Sequence, residues 1–451
     1  MLPAQRRALD ESIVKMRVGR LKRRTFLERI GALGLSASAA NALLAACGGT
    51  GDSTSGNGSA INITWQSEYD AQGVYQTLVD TFNRTNKDGI YVTYLNGLQD
   101  SGQLRANYLD MLNSRSDAND IISLDIIWPA EFATNQWTVP LQDRWPTSER
   151  ANYLPGPLAG CTFDNQVWAV PLRTDAGLLY YRKDLFPTPP QTWEELTAKA
   201  RQTRSQGSTR FGYVWQGAQY EGLVCDFMEV VYGYGGSVLD SRNSQKITVD
   251  TPEALAALSI MASWINDISP LEVTTYKEDD ANAAWMNGDA AFMRNWPYAY
   301  TLSNNASRSN VAGKFDIAPL PHGGKEIVGH SIIGGWQLGI NAFSNADKVD
   351  AAWKFIHYMI GPAAQKTLAL EASLAVTLKS VYQDQDVLDK NPIFKNLGAI
   401  LPNALPRPVS PQYADVSNAI QLRVHQALVK QSTAARAIQD LQADLQTILK
   451  A

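Results

Sequence analysis

Histidine and cysteine are both scarce in this chain. The four histidines, His322, His330, His357 and His425, fall into no H-E-x-x-H or comparable spacing, and the three cysteines, Cys47, Cys161 and Cys225, show no metal-ligand spacing. Metal-dependent catalysis therefore has little support. There is no G-x-S-x-G elbow and no phosphate loop. The glycine clusters at Gly233–Gly236 and Gly334–Gly335 lack the phosphate-binding spacing that leads into a helix start. Beyond the N-terminal segment no uninterrupted apolar run approaches the roughly 20 residues that span a bilayer. Positive charge is short over most of the length. Residues 1–46 carry nine Lys/Arg against three Asp/Glu, whereas the remainder carries 31 basic and 41 acidic residues, a balance of −10. So acidic a body argues against nucleic acid or anionic lipid as its main partner.

What is abundant is apolar residues, 45% of 451, enough for two or three units of roughly 150 residues each. Disorder is not expected of such a composition.

The first sixty residues read as an address. Lys22-Arg23-Arg24-Thr25-Phe26-Leu27 is a twin-arginine pattern, and a weakly hydrophobic stretch of small residues follows from Ile30 to Ala46. Leu44-Ala45-Ala46-Cys47 then has the form of a lipobox, with the thiol of Cys47 as the nucleophile that receives diacylglycerol. The Gly/Ser-rich segment from Gly48 to Ser59 reads as a flexible tether. These three signals in order predict export and lipid anchoring to the outer face of the cytoplasmic membrane.

From Ile61 the pattern alternates strands and helices. Ile61–Trp65 and Ile90–Leu95 are strand-like, and Tyr75, Leu78, Val79 and Phe82 recur at helical spacing between them. Ser123–Trp128 reads as a short apolar strand. Further strands are expected at 177–181, 315–318 and 336–340. Helix signals include Thr192-x-x-Glu195, a capping box, and Thr251-Pro252, a cap before Pro at the first helical position. Val349, Trp353 and Ile356 share a helix face that Gly361-Pro362 ends, and residues 415–449 suggest two more helices. The pattern is that of an α/β protein with two interleaved lobes.

Chemistry concentrates where aromatics meet amides and carboxylates: Trp215–Gly222, Arg294–Tyr298 and Gly334–Gln337. A pyranose has apolar C–H faces and a polar rim, which suits flat rings flanked by Asp, Asn, Gln and Arg. Any single Trp reads as readily as a core residue. Asp125 and Asp175 lie beside apolar strands, where a carboxylate is costly unless paired; they read equally as caps, salt-bridge members or ligand contacts.

At these residues the chain resembles the extracellular solute-binding proteins of ABC sugar importers, specifically the trehalose/maltose-binding group. The resemblance runs from about Ile61 to the C-terminus. It rests on the runs WQGAQYEGLVCDF at 215–227, DAGLLYYRKDL at 175–185 and RNWPY at 294–298. APLPH at 318–322, Gly334-Gly335-Trp336 and Pro406-Arg407-Pro408 add to it. The resemblance implies a two-lobe periplasmic-binding-protein fold, with residues 61–173 plus 316–345 in lobe I and 174–315 plus 346–451 in lobe II, behind a signal peptide (1–46) and tether (47–60). The chain would cross between lobes near 174, 315 and 345, with the sugar in the cleft. Asp125 and Asp175 would accept hydrogen bonds from hydroxyls, Arg407 would donate, Trp296, Tyr298 and Trp336 would form aromatic walls, and the Gly335 backbone would sit against the ligand. Tyr220 and Glu221 would line or brace the site, and Glu68 and Asp70 lie in a loop where relatives place an acidic contact. Relatives can carry an aromatic residue where this chain has Arg173, which bears on which sugar fits.

The function expected is that of a monomeric, lipid-anchored binding protein that closes on a trehalose- or maltose-type disaccharide and hands it to an ABC permease, without cofactor or covalent chemistry. A secreted glycoside hydrolase using Asp125 and Asp175, or a binder of another solute such as a glycerophosphodiester, would share an aromatic cleft. On the lobe assignment, Cys161 and Cys225 fall in different lobes and are expected to be buried free thiols rather than a disulfide.

Overall fold

The computed structural model describes residues 60–240, 243–326, 328–408, 410 and 412–450. The expected signal peptide, the expected lipidation site at Cys47 and all but Ala60 of the expected tether lie outside them.

The first strand, β1 (Ile61–Gln66), buries Ile63 and Trp65 on one face. An aspartate-capped loop leads into α1 (Val74–Thr85), whose buried Val74, Tyr75, Leu78, Val79 and Phe82 form the expected apolar stripe. The chain returns as β2 (Ile90–Leu95), parallel to β1 along its whole length. Then comes β3 (Ile121–Asp125), every residue of it buried. The strand expected at 123–128 ends three residues early, because Trp128 N–H bonds back to the Asp125 carbonyl and turns the chain. β4 (Val170–Ala176) and the later β9 (Ile333–Ile340) complete a five-stranded sheet of order β2-β1-β3-β9-β4. β9 runs antiparallel to both neighbours.

A second, four-stranded sheet is built from β5 (Leu178–Arg182), β6 (Phe211–Val214), β7 (Ala290–Asn295) and β8 (Phe315–Ala318), in the order β8-β5-β7-β6. Helix α2 (Glu221–Gly233) covers this lobe with α3 (Pro252–Trp264). Thr251 caps α3 as expected, its hydroxyl accepting from Ala254 N–H. Thr192 caps the helix Trp193–Ser205, but Glu195 reaches back to the Gln191 N–H rather than closing the box on Thr192 itself.

The chain crosses between the sheets three times. Gly177 alone separates β4 from β5, and a Cβ there would collide with the Glu229 carboxylate and the Arg294 guanidinium, so a larger residue would have to displace that ion pair. The second crossing lies between β8 and β9. The third runs between Ile400 and Tyr413. All three run side by side: the Ser331 hydroxyl donates to the Gly177 carbonyl at 2.6 Å, and Leu405 exchanges backbone bonds with Ser331 and Ile333 at 2.8 Å each.

Sheet membership departs from the expected lobe boundaries in three places, the first being residues 174–176, which complete β4 in the first sheet. Strand β8 pairs with β5, so residues 316–318 belong to the second sheet rather than to lobe I. Helices α4 (Ala346–Ile360) and α5 (Pro362–Ala372) pack against β1 and α1, so the third crossing comes some sixty residues later than expected. Phe355 of α4 lies 5.5 Å from the ring of Trp65. An amphipathic helix declares one apolar face, not which sheet that face will cover. The C-terminal pair α6 (Tyr413–Leu428) and α7 (Ala434–Ile448) does pack on the second lobe, against α2 and α3. Cys161 and Cys225 are both buried free thiols, as expected.

Candidate functional site

A cleft enclosing about 930 Å³ of space, open solvent included, lies between the two sheets. Asp125, Asp175, Trp296, Tyr298, Gly335, Trp336 and Arg407 all line it, as do Glu68, Asp70, Arg173, Tyr220 and Glu221. Twelve residues spread over 340 positions of sequence thus converge on one place.

The strand register explains much of this. Asp125 on β3, Trp336 on β9 and Arg173 on β4 are direct partners across three neighbouring strands, so their side chains form one row at the sheet's end. Asp175 lies one step further along β4, opposite Gly334. Gly335 sits at φ +135°, and a Cβ there would come within 2.5 Å of the Arg173 carbonyl, so its backbone stays bare to the cleft. At Gly334 a Cβ would press on the Trp296 ring at 3.3 Å.

Two arginines organise the acids. Arg407 lies on the third crossing and donates to Asp125 at 2.7 Å and to Glu221 at 2.8 Å, tying the end of β3 to the first turn of α2. Glu221 also accepts from the hydroxyls of Tyr413 and Ser417. Arg173 pairs with Glu68 at 3.1 Å and with Asp175. Burial pushes the Asp175 carboxyl up to about 6 against the opposing pull of Arg173. Burial likewise raises Glu221, with Arg407 opposing.

Asp70 lines the cleft but both its oxygens are occupied: they accept from the N–H groups of Gln72, Gly73 and Tyr75, which fixes the loop into α1. Trp296, Tyr298 and Trp336 remain partly exposed, whereas Trp65, Trp145, Trp193, Trp215, Trp264 and Trp285 are buried. Trp215 is therefore a core residue, its indole N–H donating to Ser269 at 3.1 Å, although Tyr220 and Glu221 from the same run reach the cleft.

Sequence reasoning missed Glu278, the first residue of the helix Glu278–Met286. It accepts from the Tyr220 hydroxyl at 2.7 Å and the Trp296 indole at 3.2 Å, and so holds both rings at the cleft wall. Its only signal was the acidic run Glu278-Asp279-Asp280, which reads as an ordinary helix start. Asp279 accepts from Tyr298 at 3.1 Å. Gln72, Tyr75 and Cys225 also line the cleft; Gln72 carried no signal, Tyr75 read only as part of the apolar stripe of α1, and Cys225 only as a buried thiol within the 215–227 run. Two further contacts join its sides: Lys277 to Asp100 at 2.8 Å, and the Gln72 amide to the Tyr298 carbonyl at 3.1 Å.

Six carboxylates and two guanidinium groups line this cleft. Carboxylates held by arginines at fixed positions, beside open aromatic faces, can accept hydrogen bonds from a hydroxylated ligand while a ring stacks.

Residues 66–366 match the model of the bacterial extracellular solute-binding protein family. A probable ABC transporter-binding protein of Deinococcus radiodurans is 34% identical over 404 residues, 86% of this chain and 94% of that protein. Among solved structures, maltose-bound T. maritima MalE3 superimposes with a TM-score of 0.82 at 38% identity, over 86% of this chain and all of that one. A solute-binding protein from Thermotoga lettingae bound with α-D-tagatose gives 0.78 at 24% identity over 86% of this chain and all of that one, a likeness of fold. With two α/β lobes, three crossings and a cleft between the sheets, this chain belongs to the bacterial extracellular solute-binding protein family.

Proposed function

We propose that this protein captures a disaccharide of the α-glucoside type, maltose or trehalose first, and delivers it to an ABC permease. The observation that carries the reading is the convergence of Asp125, Asp175, Trp296, Tyr298, Trp336 and Arg407 on one cleft, in a chain 38% identical to a protein solved with maltose bound. In this reading the two lobes close on the sugar because it touches both at once and so favours the closed form by its differential contacts. Export through the twin-arginine signal and anchoring through Cys47 belong to the same proposal. They rest on the motifs at 22–27 and 44–47. The excess of carboxylates over guanidinium groups in the cleft disfavours an anionic solute such as a glycerophosphodiester.

The test is a thermal-shift screen of the mature protein against disaccharides. A ligand at one hundred times its Kd adds about 2.7 kcal/mol to the native state. Maltose or trehalose should raise the midpoint, and the sugar should be recovered intact after long incubation. Released glucose would transfer the reading to a hydrolase.

The binding should also depend on pH. If a sugar hydroxyl donates to ionised Asp175, binding below about pH 6 must expel a proton. The Kd should be flat above that pH and weaken by up to about tenfold per unit beneath it. Calorimetry from pH 5 to 8 should show this slope, and Asp175→Asn should remove most of it.

A further inference from the structure

Arg173 and Asp175 are two residues apart on β4, so their side chains leave the same face of the strand, toward the cleft. The guanidinium is divided between two acids. Nε donates to Glu68 Oε1 at 3.1 Å and to the Tyr75 hydroxyl at 3.2 Å, and Nη1 donates to Asp175 Oδ2. Each carboxylate therefore gives one oxygen to the arginine. The other oxygen of each, Glu68 Oε2 and Asp175 Oδ1, is buried and has no hydrogen-bond partner among the described residues. Both residues are more than nine-tenths buried and both line the cleft.

We propose that Arg173 is the specificity-determining residue of this cleft: by occupying one oxygen of Glu68 and one of Asp175, it leaves two acceptors that select a sugar edge carrying two neighbouring hydroxyl donors. The inference rests on the reading that the cleft takes a sugar. Its chemistry is a matter of protonation. An ionised carboxylate only accepts hydrogen bonds, whereas a protonated one also donates. With a neutral residue at 173, Glu68 and Asp175 would share a buried site without a cation, and the Asp175 carboxyl would be pushed further up, toward its protonated form. The pair could then satisfy a donor or an acceptor, and discrimination would relax. Arg173 opposes the burial that pushes the Asp175 carboxyl up to about 6, so this carboxylate stays ionised at pH 7.5 and its demand for a donor is strict. Lysine would keep the charge but could not fork to both carboxylates in fixed geometry.

The test compares each monodeoxyfluoro derivative of the bound disaccharide with its parent by calorimetry at pH 7.5. Fluorine keeps the size of the hydroxyl and removes the donor. The wild type should lose about 100-fold or more at two adjacent ring positions, because a site built around a hydroxyl rejects an analogue lacking it. In R173M that loss should shrink to under about tenfold while the parent sugar also binds less tightly, and R173K should fall between. A merely structural role would weaken parent and analogues in proportion and leave their ratios unchanged in R173M and R173K; that result overturns the proposal. So does an R173M protein with wild-type affinity and wild-type ratios. Should R173M fail to fold, unchanged ratios in R173K overturn it alone. A wild type that binds no sugar overturns the sugar reading and this inference with it, whereas unchanged ratios leave the sugar reading standing.

Discussion

Replacing Arg294 by methionine should cost the native state roughly 3–5 kcal/mol, the range for removing one partner of a buried ion pair. Arg294 is 1% exposed. It pairs with Asp226 at 2.8 Å and with Glu229 at 2.6 Å, and donates to the side-chain carbonyl of Gln216 at 3.1 Å. Both acids sit on α2 with almost no access to water. Burial pushes the Asp226 carboxyl well above the usual range, and Arg294 is what opposes that. Methionine would fill similar volume but leave the acids without a cation. The effect should reach beyond the lobe, because Glu229 Oε1 also accepts from the Ile332 N–H at the second crossing, beside the glycine of the first. The guanidinium further lies 3.8 Å from the centroid of the Trp296 ring, so the cleft wall loses its backing. Urea unfolding should show a lower midpoint at unchanged slope. The sign with pH is fixed as well. Without Arg294 the folded-state pKa of Asp226 rises further above its unfolded value, so the deficit grows with pH above the unfolded value and shrinks as pH falls toward it. An unchanged midpoint at pH 7 would contradict the charged cluster.

The second large effect is expected at Arg407. Arg407→Ala should weaken sugar binding by about 100-fold or more, the scale on which truncating a buried charge partner acts at 2–5 kcal/mol. The side chain bridges Asp125, from the first sheet, and Glu221, from the helix that covers the second. It is 4% exposed, and its Nε has no partner among the described residues although it lies in the cleft lining. In the sugar-binding reading, removal takes away a donor to the ligand and also leaves two carboxylates facing each other across the closing surfaces. The closed form should become less favourable even without sugar. Calorimetry measures the first consequence. Small-angle scattering measures the second: the variant should stay expanded at sugar concentrations that compact the wild type. An alanine variant that binds and compacts normally would remove Arg407 from both roles.

The two arginines differ in how far they could be read beforehand. Arg407 stands in Pro406-Arg407-Pro408, a short distinctive motif, and its expected place in the cleft is where it lies. Arg294 stands in the equally distinctive Arg294–Tyr298 run, but its side chain turns away from the wall that Trp296 and Tyr298 form and into the packing behind it. Alternation along a strand predicts that neighbours point to opposite faces; it does not say which face meets a cleft until the second lobe is in place. Glu278 was missed for a related reason. A carboxylate in the first turn of a helix has an adequate local explanation, so nothing in the sequence asks for another.

Local signals determined a good deal. The apolar stripe of Tyr75, Leu78, Val79 and Phe82, the alternation in Ile61–Trp65, and the caps at Thr192 and Thr251 each encode an element within a few residues of chain, and each is present. The lobe to which an element belongs is not encoded in that way. Residues 346–372 carry an apolar face that would suit either sheet, and only the competition for the surface of β1 and α1 sent them to the first. The same holds within the cleft. The residue types were visible in sequence, but the row Asp125–Trp336–Arg173 exists because β9, arriving some 160 residues after β4, inserts between it and β3. Strand insertion over that distance depends on the free energy of the whole sheet, and no window of sequence contains it.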